Sequence, residues 1–287
     1  VLIGWLYLVP QLQGAGLTLA TQTGAPHWAG GLIVCVVVVS AVAAGGMRSI
    51  TFAQALQFWL KFLAMLIPAL VLVFLWQHRD DSVGRGYPTA PARTVVAVDS
   101  ATTVRAPVQE TLTVRGVLDG HRVDGGVELT VGTHRIGAGS TVVLQRGDVV
   151  PVISSLPDQR TGSWLRPLGS GKDHPLYASL SLILAICLGT MGLPHVLVRF
   201  YTNPDGRDTR RTTFVVIVLL SAFYLLPTVF GAFGRRYVPD LLLTGNTDAT
   251  VLLLPERMVG GELGVLLSAL VTAGAFAAFL STASGLT

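Results

Sequence analysis

Six long apolar stretches set the pattern of the chain: Val1 to about Ala20, about Trp28 to Ala44, about Ile50 to Trp76, about Leu176 to Phe200, about Thr213 to Phe233, and about Leu263 to the end. Crossing a hydrocarbon core about 30 Å thick takes about 20 helical residues, so the pattern predicts six membrane helices. The second contains Leu32-Ile33-Val34-Cys35-Val36-Val37-Val38-Val39, a continuous rather than alternating run. Its flanks extend it towards bilayer length, which favours a helix over a buried strand. The third stretch is longer than a span needs, and tilt or an interfacial start at Gly45-Gly46 absorbs the surplus. Pro10, Pro68, Pro194 and Pro227 fall inside spans. Such breaks survive where neighbouring helices or a polar cavity satisfy the freed carbonyls.

The stretch from Gln77 to Pro175 has a different texture, rich in Gly, Asp, Arg and Thr. Short alternating runs recur in it: Thr111 to Arg115, Val127 to Val131, Thr141 to Leu144 and Val149 to Ile153, with Asp/Gly turns between them. Period-two alternation bounded by turn residues predicts strands, and about a hundred residues suffice for an independent fold. The expected organisation is three membrane helices in 1–76, an inserted β-rich domain in 77–175 whose first part, Asp80 to Pro91, is a flexible linker, and three membrane helices in 176–287. His121, His134 and His174 show no metal-ligand spacing and read as surface histidines.

Composition agrees with a membrane protein: 51% of residues are apolar and 13% charged, against about 25% charged in a soluble domain. The net charge of +4 comes from dispersed arginines, Lys61 and Lys172 being the only lysines. They form no basic face with interleaved aromatics, so no nucleic-acid partner is expected. The densest basic stretch, Arg199 to Arg211, belongs in the cytoplasm by the positive-inside rule. Alternation then places Gly45-Gly46-Met47-Arg48 inside, and the 77–175 domain outside; Arg235 and Arg236, in an outer loop, are a mild dissent. Both chain ends fall within apolar segments, so further helices are expected on each side. Cys35 and Cys187 read as buried free thiols acting as small hydrophobes.

Polar groups inside spans are costly in lipid and tend to face a cavity or a partner. Gln11 and Gln13, followed by Gly14 and Gly16, are two apart and cannot share a helix face; they serve either a substrate cavity or interhelical packing. Lys61 sits about 16 Å into its span, where its stem reaches neither interface comfortably. It serves as an anion-attracting or coupling charge, or as half of an ion pair. Gly189-Thr190-Met191-Gly192-Leu193-Pro194-His195 predicts a broken helix whose backbone, with Thr190 and His195, is exposed to ligands; His195 is otherwise a satisfied core histidine. Ser281 and Thr282, a turn after the Ala278 carbonyl, offer hard oxygen ligands suited to Na⁺, unless they back-bond to their own helix.

The run Gly192-Leu193-Pro194-His195-Val196-Leu197-Val198-Arg199-Phe200-Tyr201-Thr202 closely resembles a signature of the sodium:solute symporter family, in its acetate and monocarboxylate permease branch. Pro10 to Gly16, Gly45 to Arg48 and Ala278 to Thr282 follow in the order that family shows. The large outer domain is unlike the family's common members and points to an actinobacterial subgroup. The resemblance implies an all-α polytopic membrane protein with a leucine-transporter-like inverted-repeat core, of which the spans match helices three to eight, carrying an inserted extracellular β-rich domain. It implies a sodium site at Ala278, Ser281 and Thr282. It also implies a substrate site lined by Gln11, Gln13, Gly14, Thr190, Gly192, Pro194 and His195; for a monocarboxylate, Lys61 or the broken helix is expected to supply the positive potential. Gln54 stands where some relatives have an Asp near the ion site.

The implied activity is sodium-coupled uptake of a small organic solute, a monocarboxylate such as acetate, by alternating access in the cell membrane, with Na⁺ as coupling ion and no other cofactor. Proton coupling through His195 or Lys61 is one alternative, and a symporter-like sensor using the outer domain is another. No intramembrane acid pair or activated nucleophile suggests an enzyme. Oligomeric state is left open, and these spans alone are not expected to transport.

Overall fold

The computed structural model describes residues 2–79, 86–156, 174–191 and 205–286, with 2–3, 44–52 and 190–191 described as backbone only. Helices α1 (Leu2–Thr23) and α2 (His27–Gln77) come first. Seven strands follow: β1 (Thr94–Val98), β2 (Thr102–Ala106), β3 (Glu110–Leu118), β4 (His121–Leu129), β5 (Gly132–Ile136), β6 (Ser140–Leu144) and β7 (Val152–Ile153). Then come α3 (Pro175–Met191), α4 (Gly206–Tyr237), the one-turn α5 (Leu241–Thr244), α6 (Thr250–Val259) and α7 (Gly261–Leu286). The chain divides into two compact units, one of Val1–Arg79, Cys187–Phe230 and Val251–Thr287, the other of Asp80–Ile186 and Gly231–Thr250.

In the helical unit, α1 turns into α2 through Gly24, whose φ of 71° lies in the left-handed region, and Pro26, whose extended backbone starts α2. The α1 and α2 backbones touch: Gly16 faces the His27 carbonyl and Gly30 the Ala15 carbonyl, leaving no room for a Cβ at either glycine. Small residues permit this approach, which maximises dispersion contact where lipid supplies no hydrophobic drive. Helix α7 packs on both, burying Ala15, Val34, Val38 and Ala283 among Leu12 and Phe279.

The expected interruption at Gly45-Gly46 does not occur. Helix α2 runs unbroken for 51 residues, about 76 Å at 1.5 Å per residue. Glycine weakens a helix by about 1 kcal/mol but keeps its amide hydrogen bond, and the first proline in α2 is Pro68. Among the described residues, three segments are long and apolar enough to cross a bilayer: Ala53–Gln77, Gly206–Tyr237 and Gly261–Leu286. His27–Ala43 and Pro175–Gly189 are apolar but shorter. Helix α1, expected as the first span, carries Pro10, Gln11 and Gln13 and is not among the three. Cys35 and Cys187 are exposed rather than buried. They lie on helix surfaces where Leu32, Val36, Leu184 and Leu188 are exposed too, apolar faces of the kind that lipid covers.

The other unit is a seven-stranded antiparallel sheet in the order β1-β6-β3-β5-β2-β7, with β4 paired to β3. Strict in-out alternation in β1 and β2 sends Val96, Val98, Val104 and Ala106 into one core with Leu112, Val114, Leu129, Ile136 and Leu144. The β3–β4 hairpin closes on Asp119-Gly120, both at positive φ (51° and 84°), the backbone of a two-residue turn matched to strand twist. Asp119 then ties this turn to β5, accepting the Arg135 amide at 2.7 Å and His134 Nδ1 at 2.7 Å.

Burial works against a charge on His134, but the Asp119 carboxylate and the Thr130 carbonyl outweigh it and raise the imidazole above its ordinary value. For Asp119, burial is outweighed by the Arg135 amide and His134, so its carboxyl is held below its usual range. His134 therefore contributes stability below about pH 6.5 and loses it as pH rises through its raised folded value. Asp119 contributes at neutral pH and loses its share only in acid. Raising the pH from 6 to 9 is expected to speed hydrogen exchange in residues 117–136, corrected for intrinsic rate, by no more than about fivefold, because a pair at the protein surface with its carboxylate exposed is worth at most about 1 kcal/mol. His134→Gln should flatten this pH dependence; a wild-type profile already flat contradicts the pairing.

Candidate functional site

Helix α7 carries hydroxyls at two levels, and they are treated differently. Near its start Ser268, 1% exposed, donates to the Leu252 carbonyl of α6 and accepts the Gln22 side-chain amide of α1 at 3.1 Å. Thr272 back-bonds to the Ser268 carbonyl at 2.8 Å. Every hydroxyl in this knot is committed. At the second level, Ser281 and Thr282, neither hydroxyl has a hydrogen-bond partner among the described residues. Thr18, Thr21 and Ser40 all bond to the carbonyl four residues back, the usual fate of a hydroxyl in an apolar helix. Ser281 is buried, while Ala278 and Thr282 are partly so.

The rotation of α7 is set by α2. Gln54 Nε2 donates to the Ser281 carbonyl at 3.2 Å. Seven residues earlier on α7, Gly274 packs on α2 so closely that a Cβ would lie 2.5 Å from Ala64 Cβ and 3.6 Å from Lys61 Cα. Gln54 and Lys61 are also seven apart, two helical turns, and so share a face of α2. The two helices therefore run antiparallel, Gln54 beside Ser281 and Lys61 beside Gly274. Lys61 is half-buried, with Nζ 5.8 Å from the centre of the Phe58 ring. Among the described residues no carboxylate forms an ion pair with it.

Helix α1 completes the arrangement. A Cβ at Gly14 would lie 2.7 Å from Phe279 Cε1, so the missing side chain gives the phenyl ring its place. Gln11, three residues earlier on the same side, is half-buried, whereas Gln13 lies on the exposed side of α1 and does not join it. Two residues on, a helix has turned to its other side. Gly14 thus meets α7 at Phe279 and Gln54 of α2 meets it at Ser281, with Lys61 two turns along α2; Ala278 and Thr282, partly buried, lie on the same stretch of α7. Thr190 is in the last turn of α3, described as backbone only, and Gly192, Pro194 and His195 lie outside the described residues. Sequence reasoning missed the Gln54 bond and the Gln22–Ser268–Leu252 knot. The seven-residue spacing of Gln54 and Lys61, and a lone serine in an apolar stretch, were the available signals.

The profile of the sodium:solute symporter family matches residues 126–287, more than half the chain. A monocarboxylic acid transporter of Corynebacterium glutamicum is 42% identical over 110 residues, which make up 37% of this chain and 19% of that protein. No solved structure matches the chain.

Because α2 and α7 approach so closely at Gly274, Gly274→Leu forces the helices apart. The expected cost is about 1–3 kcal/mol, the range for overpacking a filled interface, read as a lower melting temperature in detergent. Gly231→Leu, at a glycine with open space around it, is the control. Equal melting of the two variants contradicts the packing.

Proposed function

The chain belongs to the sodium:solute symporter family, and from that premise we propose that it forms part of a secondary transporter coupling sodium entry to uptake of a small monocarboxylate. It is a multi-pass protein of the cell membrane and a transporter rather than an enzyme. The observation that carries the sodium reading is the pair of uncommitted hydroxyls at Ser281 and Thr282. Hydroxyl and carbonyl oxygens are hard donors of the kind that replace the hydration shell of an alkali cation. Because the Ser281 carbonyl already accepts from Gln54, Ser281 offers the ion its hydroxyl, and the Ala278 carbonyl one turn back is the backbone contribution.

The monocarboxylate reading is supported by the name of the C. glutamicum relative and by Lys61, a half-buried cation. An ammonium in low dielectric gains from an anionic substrate what it lacks from a protein carboxylate. Gln11 and Gly14 on α1, with the segment Thr190 to His195, line the substrate path in this reading. Coupling requires that sodium and substrate both bind one conformation better than the other. Sodium held by α7 favours the outward-facing state and substrate completes closure. The fold implied is a leucine-transporter-like inverted repeat. In this reading the positive-inside rule puts Arg199 and the arginines Arg207, Arg210 and Arg211 at the start of α4 on the cytoplasmic side, and the β unit outside.

Radiolabelled acetate and pyruvate uptake by the full-length transporter in proteoliposomes tests this. Uptake should follow an imposed inward sodium gradient and fall at least about tenfold in Ser281→Ala/Thr282→Ala, while Lys61→Met should raise the KM for the acid. Uptake indifferent to sodium but abolished by an uncoupler replaces sodium with protons as the driving ion. Unchanged uptake in Lys61→Met removes that residue from carboxylate recognition.

A further inference from the structure

The connector between α4 and α6 is not a surface loop. Its two ends meet: the Thr250 methyl group occupies the space where Gly234 would carry a Cβ. Between them Tyr237, Val238, Asp240, Leu242, Leu243 and Ala249 are each less than a tenth exposed. Leu243 is wholly buried and belongs to the same hydrophobic core as Val104, Leu112, Ile136 and Leu144 of the sheet. Just beyond it the chain turns at Gly245, whose φ of 79° lies in the left-handed region. The Gly245 amide closes the single turn of α5 onto the Leu241 carbonyl at 2.9 Å. The Gly245 backbone rests on Ile153 of β7, where an added Cβ would lie 3.1 Å from Cδ1.

We propose that the sheet is a clasp for this connector: it takes Leu243 as one of its own core residues, so the connector and the sheet open only together. A leucine merely lying on a sheet keeps part of its surface in water, whereas this one is enclosed. A sheet of strands two to nine residues long has a small core, and withdrawing a leucine from it leaves a cavity that such a core cannot close. Because the ends of the connector touch at Gly234 and Thr250, any separation of the end of α4 from the start of α6 pulls on the same anchored residue. The sheet thereby sets the free-energy cost of moving those two helix ends apart, and by linkage a change at either partner is felt equally at the other.

Hydrogen exchange of the full-length protein in lipid nanodiscs, compared among wild type, Leu243→Ala and Val104→Ala, tests the clasp. In the wild type, residues 241–245 should be protected to the same degree as β2 and β6. Leu243→Ala should speed exchange in 102–106 and 140–144 by at least about tenfold. Val104→Ala, which leaves the connector's sequence intact, should speed exchange in 241–245. A connector that exchanges far faster than the sheet in wild type, or lesions whose effects stay on their own side, overturns the proposal. Should Leu243→Ala fail to fold, the wild-type comparison and Val104→Ala still decide.

Discussion

A hydroxyl in an apolar helix satisfies itself on the carbonyl one turn back unless its surroundings hold it elsewhere, and in this chain those surroundings are set by the contact of α2 with α7. Two points fix it: the side-chain-free surface of Gly274 against Ala64, and the Gln54 amide on the Ser281 carbonyl. They are about two turns apart on α7 and nearly three on α2, so together they set both the rotation of α7 and its position along α2. An interhelical hydrogen bond in a membrane is worth only about 0.6–2 kcal/mol. The close approach at Gly274, which leaves no room for a side chain, fixes the register alongside it.

That contact gives the segment Ala278 to Thr282 its meaning. Lys61 and Gln54 fall on one face of α2, so the half-buried cation and the uncommitted hydroxyls belong to one interface without touching. At the other end of α7 the Ser268 knot joins α1, α6 and α7 through bonds that are all made.

Much of the helical architecture could be read directly, because apolar runs of bilayer length have few other fates. The Gly45-Gly46 break could not, since glycine permits a bend without imposing one, and α2 has no proline before Pro68. In the β-rich stretch, the runs at Thr111 and Thr141 fall within β3 and β6. The strands β1, β2 and β5 were not among the runs read; at five residues each they are no shorter than β6. Leu243 was illegible in principle: nothing local in Leu241-Leu242-Leu243 distinguishes a residue of a distant sheet core from one of a membrane helix end. For the site, Ser281 and Thr282 were singled out by residue chemistry and family resemblance. The part played by Gln54 depends on a partner more than two hundred residues away.

The most direct measurement is sodium protection of α7 itself. Ala278→Cys, introduced into the full-length transporter lacking Cys35 and Cys187, keeps the backbone carbonyl and adds a thiol beside the two hydroxyls. Its rate of modification by a small maleimide should fall as sodium is raised at constant ionic strength, and should not respond to choline. Equal rates in sodium and choline, with the thiol reactive throughout, would contradict a sodium site on this helix.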